Sequence, residues 1–531
     1  MSTTVEIPDG PIGLHVKVLH YVRLVAALVA RVLFNLFYGK SGEKLPPITE
    51  PILREPAVEI ARRIRTQEVS SVEVLEAFIR RIKDVNSALN CFVEDRYELA
   101  LKEAREADDL VKSGSLSVQQ LEKDKPFLGV PFTTKDCIAV KGLHHTSGVV
   151  LRKDVIADQD AETVKLLREK GAIIMGLTNV PELCMWWETH NHIHGRTNNP
   201  YNTTRIVGGS SGGEGCIQAA AGSAFGVGSD IGGSIRMPSY FNGIFGHKPS
   251  KFIVSNAGQY PEPTSELHSS FLGIGPMVRH AVDMKPLLKI MSGSNSDKLK
   301  LDEPVDISKL KVFYQINNDA PITDPVDPEI AAAMEKVVEY LKVKHNIVAE
   351  KQRITRLRKS NPIWLTLMKD EKKSFAQRIM GKDGVCTLLL EMLKNFIGCS
   401  GNTLIGIVTG LVDRGGVAVG SEKYNHYLRC RDELIDTFQT MLGEDGVFLY
   451  PTHPTPAPYH NEPLVRPMNF CYTSIINCMG LPATNIPLGL GSEGLPIGIQ
   501  VVANYNNDRL CLAVAEELDK AFGGWVEPHK A

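Results

Sequence analysis

Two glycine-dense segments hold the serines best placed to act on a carbonyl. They are Gly208-Gly-Ser-Ser-Gly-Gly213 and Gly228-Ser-Asp-Ile-Gly-Gly-Ser-Ile-Arg236, with Ser210 and Ser234 24 positions apart. A serine hydroxyl is a weak nucleophile until a base takes its proton, and flanking glycines let the backbone approach a substrate closely. Taken alone, such a stretch also reads as an ordinary loop. Gly208 to Gly212 matches G-x-S-x-G, the nucleophile elbow of Ser-His-Asp esterases, with His453, His460 and His529 available downstream. That motif needs a strand immediately before the serine, and Tyr201 to Val207, behind Pro200, has more the composition of a loop. No Gly-Lys-Ser/Thr follows, as a phosphate cradle would require. His190, His192 and His194 alternate and could share one strand face. No partner lies at metal-ligand spacing, however, and Asn191 and Gly195 suggest a turn. No metal and no cofactor are expected.

The elements that would carry these segments alternate between helix and strand. Glu59 to Lys83 has apolar residues at helical spacing, Phe127 to Lys135 is a short apolar run broken by Gly and Pro, Asp160 to Lys170 reads as a helix and Gly171 to Gly176 as a strand. The serine region then reads as loop, small-residue helix (Cys216 to Gly222), strand (Ala224 to Gly228), tight turn, and a helix starting near Ser234. Residues 301–355 form a further α/β stretch; Val447 to Tyr450 and Gly498 to Val502 are strands, and Asp508 to Phe522 a closing helix. The pattern predicts an α/β body.

Together with Gly129-Val-Pro-Phe-Thr-Thr-Lys-Asp136 and Gly494-Leu-Pro-Ile-Gly-Ile-Gln-Val-Val502, the serine segments resemble the amidase signature family, over about Pro46 to Trp525. The resemblance implies an α/β/α sandwich around a large mixed β-sheet. It also implies a triad of Lys135, a cis-bonded Ser210 and Ser234. The chemistry agrees. Lys135 can serve as base only when neutral, which burial favours. Its neighbours Phe132, Ile138 and Val140 fit burial; Asp136 opposes it unless its carboxylate points away. Ser210 can relay a proton, because a hydroxyl both donates and accepts. The N–H groups of Ile231, Gly232, Gly233 and Ser234 would form an oxyanion hole, backed by the N-terminus of the helix that follows. Within the family the likeness is to the branch of type 2 fatty-acid amide hydrolases, carried by Glu182-Leu-Cys-Met185, Gly195 to Tyr201 and Phe522-Gly-Gly-Trp525. That likeness implies long-chain acyl amides and N-acylethanolamines as substrates, with Cys184 and Met185 lining the pocket. A subunit acting on glutaminyl-tRNA and an enzyme for another small or aryl amide are rivals within the family; a Ser-His-Asp esterase and an inactive membrane scaffold are rivals outside it.

Composition bears on partners. Fifty-nine Lys and Arg against 61 Asp and Glu give a net charge of −2, so no basic surface for nucleic acid is expected. Ten cysteines without a CxxC pair read as buried thiols. Val18 to Tyr38 has the length of a membrane span but carries His20, Arg23, Arg31 and Asn35, which share an arc of about 120° on a helical wheel. It reads as a membrane anchor over residues 1–40, spanning or lying in the interface, or else as a soluble amphipathic helix packed on the enzyme, with 41–51 a polar linker and 52–531 the amidase domain. Lys40, Lys44 and Arg54 after the segment favour a cytosolic body on an endomembrane. Thr387 to Leu411 reads as a helix pair, either core or a membrane-docking cap. The expected partners are a lipid-like amide, a membrane and, as one option, a second copy in a homodimer.

Overall fold

Lys135 and Ser234 reach the same edge of one sheet because their strands run parallel side by side. The computed structural model describes residues 14–39, 42–320, 322–370 and 372–530, with backbone alone for 14–17 and 19; the rest of the 1–40 anchor, and Ser41, lie outside them. Apart from a two-stranded hairpin (His190–Asn191 with Gly195–Arg196), the strands among the described residues are β1 (Phe92–Asp95), β2 (Pro131–Lys135), β3 (Ile173–Thr178), β4 (Phe225–Asp230), β5 (Phe245–Lys248), β6 (Gly273–Val278), β7 (Lys311–Tyr314), β8 (Glu350–Lys351), β9 (Gly446–Pro451), β10 (Ala483–Leu490) and β11 (Pro496–Ala503). They form one eleven-stranded mixed sheet in the order β1-β3-β2-β4-β6-β5-β10-β11-β9-β7-β8. β2 pairs in parallel with both β3 and β4, with Phe132 opposite Phe225 and Thr134 opposite Val227. All three are buried along their length, as strands covered on both faces must be. Parallel pairing puts Lys135, the last residue of β2, beside the turn that follows β4. The C-terminal edge of parallel strands is where open α/β sheets place their sites.

The helices that matter here are α1 (Leu14–Tyr38), α2 (Gly212–Ala219), α3 (Arg236–Phe241), α4 (Ser360–Leu367), α5 (Val385–Phe396), α6 (Leu404–Arg414), α7 (Cys471–Met479) and α8 (Asp508–Phe522). α2 needs its small residues: a Cβ on Gly213 would sit 2.4 Å from the Asn179 backbone nitrogen. β4 runs two residues beyond the expected end at Gly228, so the tight turn begins at Ile231. α3 begins at Arg236 and is only six residues long. Residues 385–414 form the expected helix pair.

The segment read as a polar linker is a strap packed on the body. Leu45 and Ile48, set among its prolines, are buried in the main core, and Arg81 donates to Pro46 O at 2.9 Å. α1 lays its polar arc on the body. Arg23 pairs with Asp324 at 2.7 Å, Arg31 pairs with Glu493 at 2.5 Å, and Tyr459 donates to Asn35 Oδ1 at 3.0 Å. Its other side, from Tyr21, Val22 and Val25 to Leu36 and Phe37, faces outward.

Candidate active site

Lys135 is fully buried, and its Nζ donates to Ser210 Oγ at 2.9 Å and to Ser229 Oγ at 3.1 Å. The peptide bond entering Ser210 is cis. Ser211 N–H donates to Ser234 O at 3.1 Å, tying the two serine loops together. Ser210, Ser229 and Ser234 line one cavity of about 350 Å³, together with Cys184, Met185 and Trp364. Thus the geometry brings together all three residues of the expected triad and both expected pocket residues. Ser229 was missed as a lysine partner, although it stands inside the second serine motif.

The carboxylate of Asp136 points away from its neighbour. It accepts from Thr146 N–H at 2.9 Å and from the Thr146 hydroxyl. Burial pushes its carboxyl up to about 7. Glu214, beneath the lysine strand, accepts from Thr133 and Thr178, both at 2.9 Å, and burial pushes it up to about 8. Among the described residues Lys135 makes no ion pair, so its hydroxyl partners are its polar contacts.

The turn after β4 is built around Asp230. Its Oδ1 accepts Gly233 N–H at 2.6 Å, and its Oδ2 accepts Ile235 N–H at 3.1 Å and Arg236 N–H at 3.3 Å. Arg236, wholly buried, pairs with the same carboxylate at 3.0 Å and also donates to Gln500 and Asn477. Burial alone would raise the Asp230 carboxyl, but Arg236, Asn477 and Lys248 together outweigh it and hold the group well below the usual carboxylate range. One expectation is corrected here. The N-terminus of α3 does not back an oxyanion hole, because Asp230 occupies its first N–H groups. Gly233 N–H is likewise engaged. Among the described residues the amides of Ile231, Gly232 and Ser234 have no internal acceptor.

The rival constellations are not assembled. His453 is buried with its Nδ1 2.9 Å from Thr455 O, His460 pairs with Glu188 at 3.0 Å, and His529 with Glu527 at 3.3 Å. None of them is recorded within hydrogen-bond distance of Ser210 among the described residues. His190 and His192 sit with ring centroids 5.7 Å apart at a short hairpin, and burial lowers His190 and His194 to about 4.

A buried glutamate, Glu182 of the Glu182-Leu-Cys-Met185 run, ties the cavity wall to the helix pair. Glu182 Oε2 accepts from Thr403 N–H at 2.9 Å and from its hydroxyl at 2.7 Å, just before α6. Burial pushes Glu182 up to about 7.

The family model described as Amidase matches residues 73–512. The chain belongs to the amidase signature family and is an amide hydrolase. It is 43% identical over 532 residues to fatty-acid amide hydrolase 2 of Homo sapiens, covering 98% of this chain and 99% of that one. It is 45% identical over 494 residues to fatty-acid amide hydrolase 2-A of Danio rerio, covering 92% of each. Among solved structures, one described as fatty acid amide hydrolase aligns with a TM-score of 0.72 at 24% identity, over 99% of this chain and 92% of that one. At that identity it speaks for the fold alone.

Proposed function

We propose that this chain hydrolyses long-chain fatty-acid amides, both primary amides and N-acylethanolamines, to fatty acid and amine through an acyl-enzyme on Ser234. The observation that carries this reading is the buried Lys135 amine 2.9 Å from Ser210 Oγ, in the cavity that Ser234 also lines. Neutral Lys135 takes a proton from Ser210, which takes one from Ser234. Ser234 Oγ then adds to the carbonyl carbon. The new oxyanion is met by the free amides of the turn. The proton returns through Ser210 to the leaving nitrogen as the C–N bond breaks, and water repeats the steps on the ester. Labelling with a fluorophosphonate followed by peptide mapping tests this. One adduct on Ser234 is expected; an adduct on Ser210 or elsewhere contradicts it.

The same reading places the enzyme on a membrane surface. With its polar arc held by Asp324, Glu493 and Tyr459, α1 turns an apolar face outward along its length, which suits a helix lying in the interface. α5 and α6 add Leu390, Leu393, Phe396 and Val412, with Ile397 just after α5, all exposed. Each buried methylene is worth about 0.8 kcal/mol, so a long acyl chain leaves a bilayer at heavy cost, and an opening at the surface spares that transfer.

Deleting residues 1–40 should leave a folded enzyme. Asp324 keeps Arg466 at 2.6 Å, and Glu493 keeps Arg205 at 2.6 Å. Sedimentation with vesicles should weaken without vanishing. Leu390→Asp or Phe396→Asp in that background should release the protein and raise KM for long amides in vesicles, sparing short soluble ones. Aggregation, or equal loss on both substrates, would show that α5 and α6 are core. Ile405 is half-buried rather than exposed, so its replacement would test packing instead.

A further inference from the structure

Three successive carbonyls of the turn after β4 are each taken by a side chain from elsewhere. Asn477 Nδ2 donates to Asp230 O at 2.9 Å, Trp364 Nε1 donates to Ile231 O at 3.0 Å, and Thr473 Oγ lies 2.9 Å from Gly232 O. A trans peptide holds its C=O and N–H antiparallel in one plane. Fixing the carbonyl of one residue therefore aims the N–H of the next the opposite way. The first two bonds aim the free Ile231 and Gly232 amides; the Thr473 bond holds the Gly232–Gly233 peptide, whose N–H Asp230 also holds, and so fixes the stretch of chain between the free Gly232 and Ser234 amides.

The donors come from α4 and α7, which meet where the Trp364 ring packs edge-on against Phe470, centroids 5.0 Å apart. The fit against the turn is tight. A Cβ on Gly232 would lie 3.2 Å from the indole nitrogen, and one on Gly233 would lie 2.1 Å from Thr473 Oγ. The Thr473 proton is shared with Phe470 O, also 2.9 Å away. Trp364 has one N–H and places it on the turn. The same ring is a wall of the cavity.

We infer that Trp364 and Thr473 are positioning residues for the oxyanion-binding turn, and that Trp364 makes this positioning depend on what fills the cavity. The inference rests on Ser234 being the nucleophile. An acyl chain packed on the indole keeps it against the Ile231 carbonyl, whereas a short amide leaves that wall uncovered. Chain length is then read in kcat as well as in KM, because the turn acts where charge develops.

The experiment compares Trp364→Phe, Thr473→Val and Thr473→Ser in the full chain, on a long and a short primary amide. It adds inhibition by a long-chain trifluoromethyl ketone, whose serine adduct carries an oxyanion, and by the free fatty acid, which forms no adduct. For Trp364→Phe and Thr473→Val, kcat on the long amide should fall on the order of 10-fold. KM should hold within about two-fold. Ketone affinity should fall with kcat/KM while fatty-acid binding holds, and Thr473→Ser should behave as the parent. Trp364→Phe should also narrow the long-to-short ratio of kcat. Unchanged kcat in both variants overturns the inference. So does equal loss of ketone and fatty-acid binding, or Thr473→Ser as impaired as Thr473→Val. If Trp364→Phe fails to fold, the Thr473 pair decides. Should Ser234→Ala retain turnover in the same assay, the nucleophile reading has failed. If Ser234→Ala is inactive and the two variants are unaltered, only the positioning inference has failed.

Discussion

Ser234→Ala will abolish amide turnover, a fall in kcat on the order of 10⁵-fold, because removing the nucleophile of a serine hydrolase leaves only binding and oxyanion stabilisation. Labelling by fluorophosphonates and carbamates disappears with it. The fold should survive, since among the described residues Ser234 makes no side-chain hydrogen bond, and its backbone carbonyl still accepts from Ser211 N–H. A matched thermal melt separates loss of chemistry from loss of structure. Substantial residual turnover by this variant, with melting unchanged, would move the nucleophile elsewhere.

Lys135→Ala should be severely damaging on amides, though less so than Ser234→Ala, and distinctly milder on esters. Among the described residues the amine is the only basic partner of Ser210, so without it the relay has no base to begin with and no proton to return. An amine leaves only when protonated, whereas an alkoxide depends less on a delivered proton, and positioned proton transfer is worth roughly 10² to 10⁴-fold. The expected result is a loss on the order of 10³-fold for a long-chain amide and at least about tenfold less for the matched ester. Equal losses on the pair would leave Lys135 as base for attack and remove it from the leaving-group step.

What was legible beforehand follows from local pattern. Lys135, Ser210 and Ser234 lie in glycine-rich or apolar segments whose composition already marks loop, strand and turn, and α8 was readable to the residue because its apolar spacing is regular. Three features were not legible, since each depends on groups far apart in the chain. Asp230 occupies the first N–H groups of α3, so the helix after Ser234 is spent on the scaffold. The arc of Arg23, Arg31 and Asn35 could be seen on a helical wheel, but its acceptors at Asp324 and Glu493 and its donor at Tyr459 lie about 300 to 460 positions away. The strap at 42–51 reads as polar from its glutamates and prolines, yet Leu45 and Ile48 bury themselves in the core.

The central claim is that this triad serves long acyl amides. It is tested most directly by measuring kcat/KM of the full-length enzyme on primary amides of graded acyl length, each presented as a monomer in water without vesicles. The account predicts a value that climbs with chain length until the apolar cavity is filled, approaching about fourfold per methylene where each is fully buried. It also predicts loss of the entire series in Ser234→Ala. A flat profile, or one that peaks at the shortest amides, would contradict it.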